Sequence, residues 1–497
     1  MGKYKGSFKA WQWHTIVASM VIFSIYYFAR KNFSIAMPGL TAEYGISNTS
    51  FGIVIAIGSL LYGLSRFING FIVERVSTTV FMAIGLFLCA ASNFCFGFGV
   101  DLSYAITGVS EGPQFVNMLI LVMGVTIVLN QYFQGFGYPP CARMLPQWIA
   151  PNELSTKMSL WNTSHSIGSC LAVIVCGLIM TNMGADMSGD SSVVSRITVN
   201  LADSIKGWGD LSEADRTARV MSYASHYGAW RWCFFIPAMA AVGAGIICLL
   251  ALKDTPRSVG LPEVEGTHLG KENIEGKKGA HSAFLREMVF RNRWVWTLAV
   301  ANIFVYVLRM GVLDWGPKFL TEDRGMDINS AAWSVAIFEI SAIVGTIFAG
   351  WASVRFFKGF SHKMCFVSMT GAVVFLGIFA LVPELPTSVS TIALALSGFC
   401  IYGPQALIGS GSANQATKEA SATANGLVGI MGYIGSALCA LGVGFIADHW
   451  GWYSVFVTFI CAGIVGALIF LSMWRRAPRD GYDKARKFIS EFENNQK

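Results

Sequence analysis

Charge is scarce in this sequence. Asp, Glu, Lys and Arg make up 13% of its 497 residues, while 54% are hydrophobic. A soluble domain carries about 25% charged residues, so the deficit argues against a water-soluble globule. Long polar stretches are equally few and fall at 182–229 and 253–293. The eleven cysteines are scattered, nearly all in apolar segments, with no paired spacing. They read as small packing residues and suggest neither a disulfide framework nor a metal site. A nucleophile elbow, a metal cluster and a paired-carboxylate site are all missing, which argues against an enzyme; no cofactor is expected.

What the chain has instead is apolar runs of membrane-crossing length. Twelve spans are predicted, at about 13–38, 51–73, 79–100, 113–140, 158–181, 230–252, 294–320, 330–354, 363–383, 388–412, 422–446 and 452–474. The implied class is an all-α integral membrane protein. The first span is too long, and too polar at its end, for a cleaved signal peptide and lacks a small-residue cleavage site, so it is expected to be retained.

Orientation follows from the placement of Lys and Arg. The loops near 41–50, 101–112, 383–390 and 447–451 carry neither, whereas 253–293 holds eight and 355–363 holds three. The tail at 475–497 adds Arg475, Arg476, Arg479, Lys484, Arg486, Lys487 and Lys497. Both termini are therefore expected in the cytoplasm. The net charge of +7 is mostly this bias and calls for no nucleic-acid partner; the partners expected are the lipid bilayer and a small anion. Stretch 253–293 reads as a cytoplasmic linker between halves at 1–252 and 294–474. Stretch 182–229 reads as an outward insertion, in which Asp210 to Arg219 has the pattern of a short amphipathic helix with an acidic start.

Against this background two arginines stand inside predicted spans, in segments that resemble each other: Ile22-Phe-Ser-Ile-Tyr-Tyr-Phe-Ala-Arg30 and Ile303-Phe-Val-Tyr-Val-Leu-Arg309. Each is followed eight residues later by a proline, Pro38 and Pro317. An arginine in hydrocarbon costs roughly 2.5–3.5 kcal/mol even on a lenient scale. Two at matching places suggest one anion held between two halves. Further echoes run in the same order: Gly70 to Arg75 with Gly350 to Arg355, Gly137-Tyr-Pro139 with Tyr402-Gly-Pro404, and Ile167-Gly-Ser169 with Ile434-Gly-Ser436.

Six-span parallel repeats of this kind resemble the architecture of major facilitator transporters, whose substrate site lies between the halves. Gly70-Phe-Ile-Val-Glu-Arg75 is similar to their loop signature, with Glu74 where Asp is usual and Arg75 as its base; Val354 stands at the acid position of the second half. The motifs Tyr26-Tyr-Phe-Ala-Arg-Lys-Asn-Phe-Ser-Ile-Ala-Met-Pro38, Phe133 to Arg143, Trp161-Asn-Thr-Ser-His165, Tyr306 to Trp315 and Tyr402 to Gly409 resemble those of the organophosphate:phosphate antiporters. Insertion 182–229 is longer than expected for bacterial members.

The resemblance implies an exchanger of a phosphorylated metabolite for inorganic phosphate in a bacterial inner membrane, expected as a monomer. It assigns the phosphate to Arg30 and Arg309, the pair the sequence itself singles out. A guanidinium is always charged and offers a rigid fork of donors, and two empty forks facing each other would repel. The competing account pairs each arginine with a carboxylate such as Glu339. By resemblance His165, Arg66, Gln134, Tyr27, Tyr62, Asn162, Tyr306 and Tyr433 also belong to the cavity. Arg66 stands where a lysine is usual. Glu339 and Asp314 are expected to balance charge. Lys31 points about 100° away from Arg30 around the helix and is not expected on the phosphate. The Gly-Pro-Gln form at 403–405 resembles hexose-phosphate transporters, and the Tyr-Pro-Pro-Cys form at 138–141 resembles glycerol-3-phosphate transporters. Residues 433–440 lack the Asp and Lys that some hexose-phosphate members carry. The lean is to hexose 6-phosphate, with glycerol 3-phosphate transport and a sugar-phosphate sensor as alternatives.

Overall fold

The computed structural model describes residues 5–73, 75–149, 151–262, 280–382, 386–416, 420–475, 484 and 487. The first half of the chain runs α1 (Lys5–Tyr44), α2 (Asn48–Val73), α3 (Thr78–Gly97), α4 (Gly99–Thr107), α5 (Pro113–Gln134), α6 (Tyr138–Trp148), α7 (Pro151–Asn162), α8 (Ser164–Asn182), α9 (Ser191–Ser204), α10 (Glu213–Ala224) and α11 (Ala229–Ala251). The second half runs α12 (Ala280–Leu285), α13 (Arg293–Glu322), α14 (Ile328–Arg355), α15 (Ser361–Leu381), α16 (Thr387–Ala416), α17 (Ser421–Trp450) and α18 (Trp452–Ser472).

Eleven spans among the described residues are long and apolar enough to cross a membrane. The α1 helix is not one of them, because Arg30, Lys31 and buried polar residues such as Asn32 dilute its hydropathy. Its 40 residues nevertheless reach about 60 Å at 1.5 Å per residue, enough for the twelfth crossing of a core about 30 Å thick.

Two predicted spans are interrupted. Span 113–140 becomes α5 and α6, parted at 135–137, where Gly135, Phe136 and Gly137 donate to the carbonyls of Tyr132, Phe133 and Gln134 at 3.0–3.2 Å. Span 158–181 becomes α7 and α8, parted at Thr163, whose N–H donates to Leu160 at 3.1 Å. These three-residue steps tighten the helix locally. Both interruptions fall in the motifs singled out above.

Insertion 182–229 is ordered into α9 and α10, joined by a small core of Ala42, Ile197, Leu201, Trp208, Val220 and Ala224. The predicted amphipathic helix is α10, capped by the Ser212 side chain, which accepts from Asp215 N, with Glu213 and Asp215 in its first turn.

The chain divides into two compact units. One holds the described residues within Met1–Thr267, Leu313–Ala336 and Ala440–Trp452; the other holds those within His268–Val312, Ile337–Cys439 and Tyr453–Lys497. Helix pairing obeys the same device in each. In the first unit a Cβ at Gly168 (α8) would strike the Ser24 carbonyl of α1; in the second a Cβ at Gly435 (α17) would strike the Ile303 carbonyl of α13. The repeated Ile-Gly-Ser is thus the point where each repeat's fifth span touches the backbone of its first.

Candidate functional site

In the first unit the α1 helix carries Arg30, which is 7% exposed. Its Cζ lies 3.8 Å from the ring centroid of Tyr62 on α2 and 5.5 Å from that of Tyr27, one turn earlier. Such stacking compensates part of the cost of burying the cation. Arg66, one turn beyond Tyr62, lies 4.1 Å from the Tyr138 ring on α6 and 5.8 Å from the Tyr62 ring. Tyr27 meets His165 edge-on at 5.6 Å. Nδ1 of His165 contacts the Asn162 carbonyl across the α7–α8 break, while the Asn162 side chain is exposed. Gln134 is buried at the end of α5, and its Nε2 has no hydrogen-bond partner among the described residues. One polar group therefore collects Arg30, Tyr27, Tyr62, Arg66 and His165, with two helix breaks beside it.

Arg30 is held from behind by amides that the sequence reading missed. Asn93 and Asn130 both donate to the Ala29 carbonyl, at 3.1 and 2.9 Å, and Asn32 donates to Asn93 and to the Cys233 carbonyl, at 2.8 and 2.9 Å. A lone buried Asn in an apolar span is costly unless bonded; three of them were the available signal. Lys31 turns away from Arg30 and forms an ion pair with Asp314, so Asp314 balances the lysine. Nearby, the fully buried Lys318 pairs with Glu322 at 3.0 Å and donates to Thr41, and Trp452 donates to Glu322 at 3.1 Å. Neither Lys318 nor Glu322 was singled out in the sequence.

In the second unit Arg309 on α13 is 3% exposed. Its Cζ lies 4.6 Å from the Tyr402 ring on α16 and 6.0 Å from the Tyr306 ring, again one turn earlier. The Tyr402 hydroxyl donates to the fully buried Glu339 on α14. Tyr306 and Tyr433 meet edge-on at 5.6 Å. Asn302 donates to the Val428 carbonyl at 2.9 Å, and Cys439 to the Val307 carbonyl at 3.3 Å, pinning α13 to α17 on both sides of this turn. Tyr402 stood in a quoted motif but not among the expected site residues.

Arg75 is exposed just past α2. Glu74 lies outside the described residues. Arg143 donates to the Val73 and Val76 carbonyls and shapes that corner.

Residues 19–440 match the description of the Major Facilitator Superfamily. The chain is 32% identical to the glycerol-3-phosphate transporter of Bacillus subtilis, over 96% of this chain and 95% of that protein. It is 29% identical to the "probable hexose phosphate transport protein" of Chlamydia pneumoniae, over 97% and 95%. It is 27% identical to the membrane sensor protein UhpC of Salmonella typhimurium, over 96% and 95%. Among solved structures, an inward-facing bacterial homolog of the lysosomal transporter Spinster aligns with a TM-score of 0.68 at 14% identity, covering 96% of this chain and 98% of that one.

Proposed function

The chain belongs to the Major Facilitator Superfamily, a family of transporters and not of enzymes, and from that premise we propose that it exchanges a phosphorylated organic metabolite for inorganic phosphate by alternating access. The observation that carries this is the repeated element: a buried arginine with a tyrosine one turn before it and a second tyrosine ring against its guanidinium, in each repeat. We assign Arg30 and Arg309 to the phosphate. Tyrosine faces stabilise the cations without neutralising them, which leaves charge for a dianion. Closure brings the two guanidinium groups toward each other, which their mutual repulsion opposes when the site is empty and a bound phosphate favours. That makes the protein an obligatory exchanger.

Arg66, Gln134, Tyr27, Tyr62, Asn162, Tyr306 and Tyr433 complete the proposed cavity, with Glu339 as its charge partner and Asp314 balancing the neighbouring Lys31. His165 contributes conditionally. With its Nδ1–H committed to the Asn162 carbonyl, its Nε2 donates to phosphate only from the charged ring. The relatives named for glycerol 3-phosphate and hexose phosphate support a phosphate ester as substrate; hexose 6-phosphate is our lean, from the Gly-Pro-Gln run at 403–405. The bacterial relatives and the Lys/Arg bias support an inner membrane with both termini cytoplasmic, and a monomer suffices.

The similarity to a membrane sensor protein supports a second reading, a receptor that binds a sugar phosphate without moving it. One experiment separates the two. Proteoliposomes holding the purified protein are preloaded with glucose 6-phosphate, glycerol 3-phosphate or phosphate and given labelled phosphate. Uptake into preloaded vesicles that is absent from empty ones establishes exchange, and the ranking of the esters names the substrate. Ester binding with no uptake from any loading establishes the sensor.

A further inference from the structure

Insertion helix α9, the short helix α4, the turn at 108–112 and the end of α1 enclose a cleft of about 540 Å3 within the first unit, whose lining shares no residue with the Arg30 group. That volume suits a small ligand. Its walls carry three carboxylates, Glu43, Asp101 and Glu111, and three tyrosines that include Tyr104 and Tyr227. The charges do not cancel. Arg196 is taken by Glu111 at 2.5 Å and by the Tyr227 hydroxyl at 3.0 Å, and Arg231 is taken by Asp101 at 2.9 Å. Glu43, the most buried of the three at 2% exposed, has only neutral donors: the Gly228 N–H at 2.8 Å and the Trp230 indole N–H at 2.9 Å. Burial pushes the Glu43 carboxyl up to about 7, and Arg231 and Arg196 offset only part of that rise, so its charge is incompletely compensated. A cation entering the cleft would complete the compensation of Glu43, and the walls are the aromatic faces that bind cations.

We propose that this cleft is a binding site for a ligand bearing a single ammonium group, seated between Glu43 and the tyrosine rings. Two sources supply that chemistry: a soluble amine, or the headgroup of an ethanolamine lipid. The second source is within reach, because α4 presents Leu102, Tyr104 and Ile106 outward beside the cleft.

The test uses the purified full-length protein and the probes ethanolamine, choline and uncharged N-acetylethanolamine, read by calorimetry. Lipid retention is read by native mass spectrometry with phosphatidylethanolamine against phosphatidylglycerol. We expect an ammonium probe or phosphatidylethanolamine to bind at least tenfold better than its counterpart without the cation. Glu43→Gln should remove that preference. Because Glu43 also holds Gly228 and Trp230 and its loss could disturb folding, Tyr104→Ala at the exposed rim serves as the second variant and should weaken binding by threefold or more. Lipid retention alone identifies the membrane as the source, and soluble-amine binding alone identifies a solute; both outcomes support the site. Equal binding of charged and uncharged probes, binding by neither class, or binding indifferent to both variants would overturn it.

Discussion

In the first repeat Arg30 stacks on Tyr62 beside two interrupted helices; in the second, Arg309 stacks on Tyr402 beside two continuous ones. The difference traces to local sequence. Span four of the first repeat holds Gly135, Gly137, Pro139 and Pro140 within six residues, and the helix gives way. Its counterpart α16 holds Gly403 and Pro404 and carries Pro404 inside an unbroken helix. Charge differs too. The ring over Arg309 also donates to a buried carboxylate, Glu339, whereas the groups around Arg30 that bond its turn are neutral amides. The repeats therefore share the arginine and its tyrosines and diverge in what surrounds them. We read the surroundings of Arg30 as the adaptable ones and those of Arg309 as the rigid ones.

The comparison fails at its root if the arginines are not equivalent. Arg30→Lys and Arg309→Lys keep the charge and lose the fork, so each should cut phosphate exchange in preloaded proteoliposomes by about 100-fold or more, an order of magnitude per 1.4 kcal/mol of lost binding. Near wild-type exchange by either variant removes that arginine from the phosphate.

Next in size is the shared helix contact. Gly168→Ala and Gly435→Ala each push a methyl group into a carbonyl of the neighbouring helix, and overpacking of this kind costs about 1–3 kcal/mol. Both should lower the thermal midpoint of the solubilised protein by similar amounts. A loss in only one repeat would mean the Ile-Gly-Ser echo is not a common device.

How much of this was legible in the residues varies by kind. The arginines were, because a charge in an apolar run is visible without a structure, and so were Tyr27 and Tyr306, each three residues before its arginine. The echo of Ile167-Gly-Ser169 in Ile434-Gly-Ser436 was visible as a repeat, but its role was not, since nothing local says which backbone a glycine faces. The breaks at Gly135 and Thr163 were read through as single spans, because hydropathy averages over a turn of three residues. The partnership of Lys31 with Asp314 joins residues 283 apart, beyond what spacing can predict. The order of insertion 182–229 was legible only at α10, where Ser212 and two acids mark a helix start; the small core beneath it depends on Ala42 of α1.

A smaller effect separates the two tyrosines. Tyr402→Phe keeps the ring over Arg309 but leaves buried Glu339 without its donated hydroxyl, a loss of about 1–3 kcal/mol. Tyr62→Leu removes the ring face beneath Arg30, a loss of up to about 2 kcal/mol for a desolvated cation. In exchange assays we expect Tyr402→Phe to be the more damaging, by roughly tenfold relative to wild type. The reverse order would place the sensitive polar network in the first repeat.

The smallest predicted effect concerns two capping aspartates. Asp448 at the end of α17 accepts from Asn48 N at 3.2 Å and Thr49 N at 2.7 Å, so a helix of the second repeat caps α2 of the first. Asp254 accepts from Thr78 N at 3.1 Å and Thr79 N at 2.9 Å and ties the end of α11 to α3 within the first repeat alone. Both carboxylates sit at helix N-termini, where a negative charge is favoured. Burial works to raise the Asp254 pKa, and the hydrogen bonds from Thr78 and Thr79 outweigh it, holding the carboxyl below its usual range. A depressed folded-state pKa contributes stability that is present above the ordinary value near 4 and is lost as pH falls through the folded value. Asp254→Asn should therefore lower the thermal midpoint at pH 7 by the equivalent of about 1 kcal/mol, a typical cap. The gap from wild type should shrink as pH falls below about 4, with exchange rate unchanged at pH 7. Asp448→Asn, whose contact crosses between repeats and must release if they move apart, should change the exchange rate as well. If both variants alter stability only, the Asp448 contact is a static cap and not part of the transport cycle.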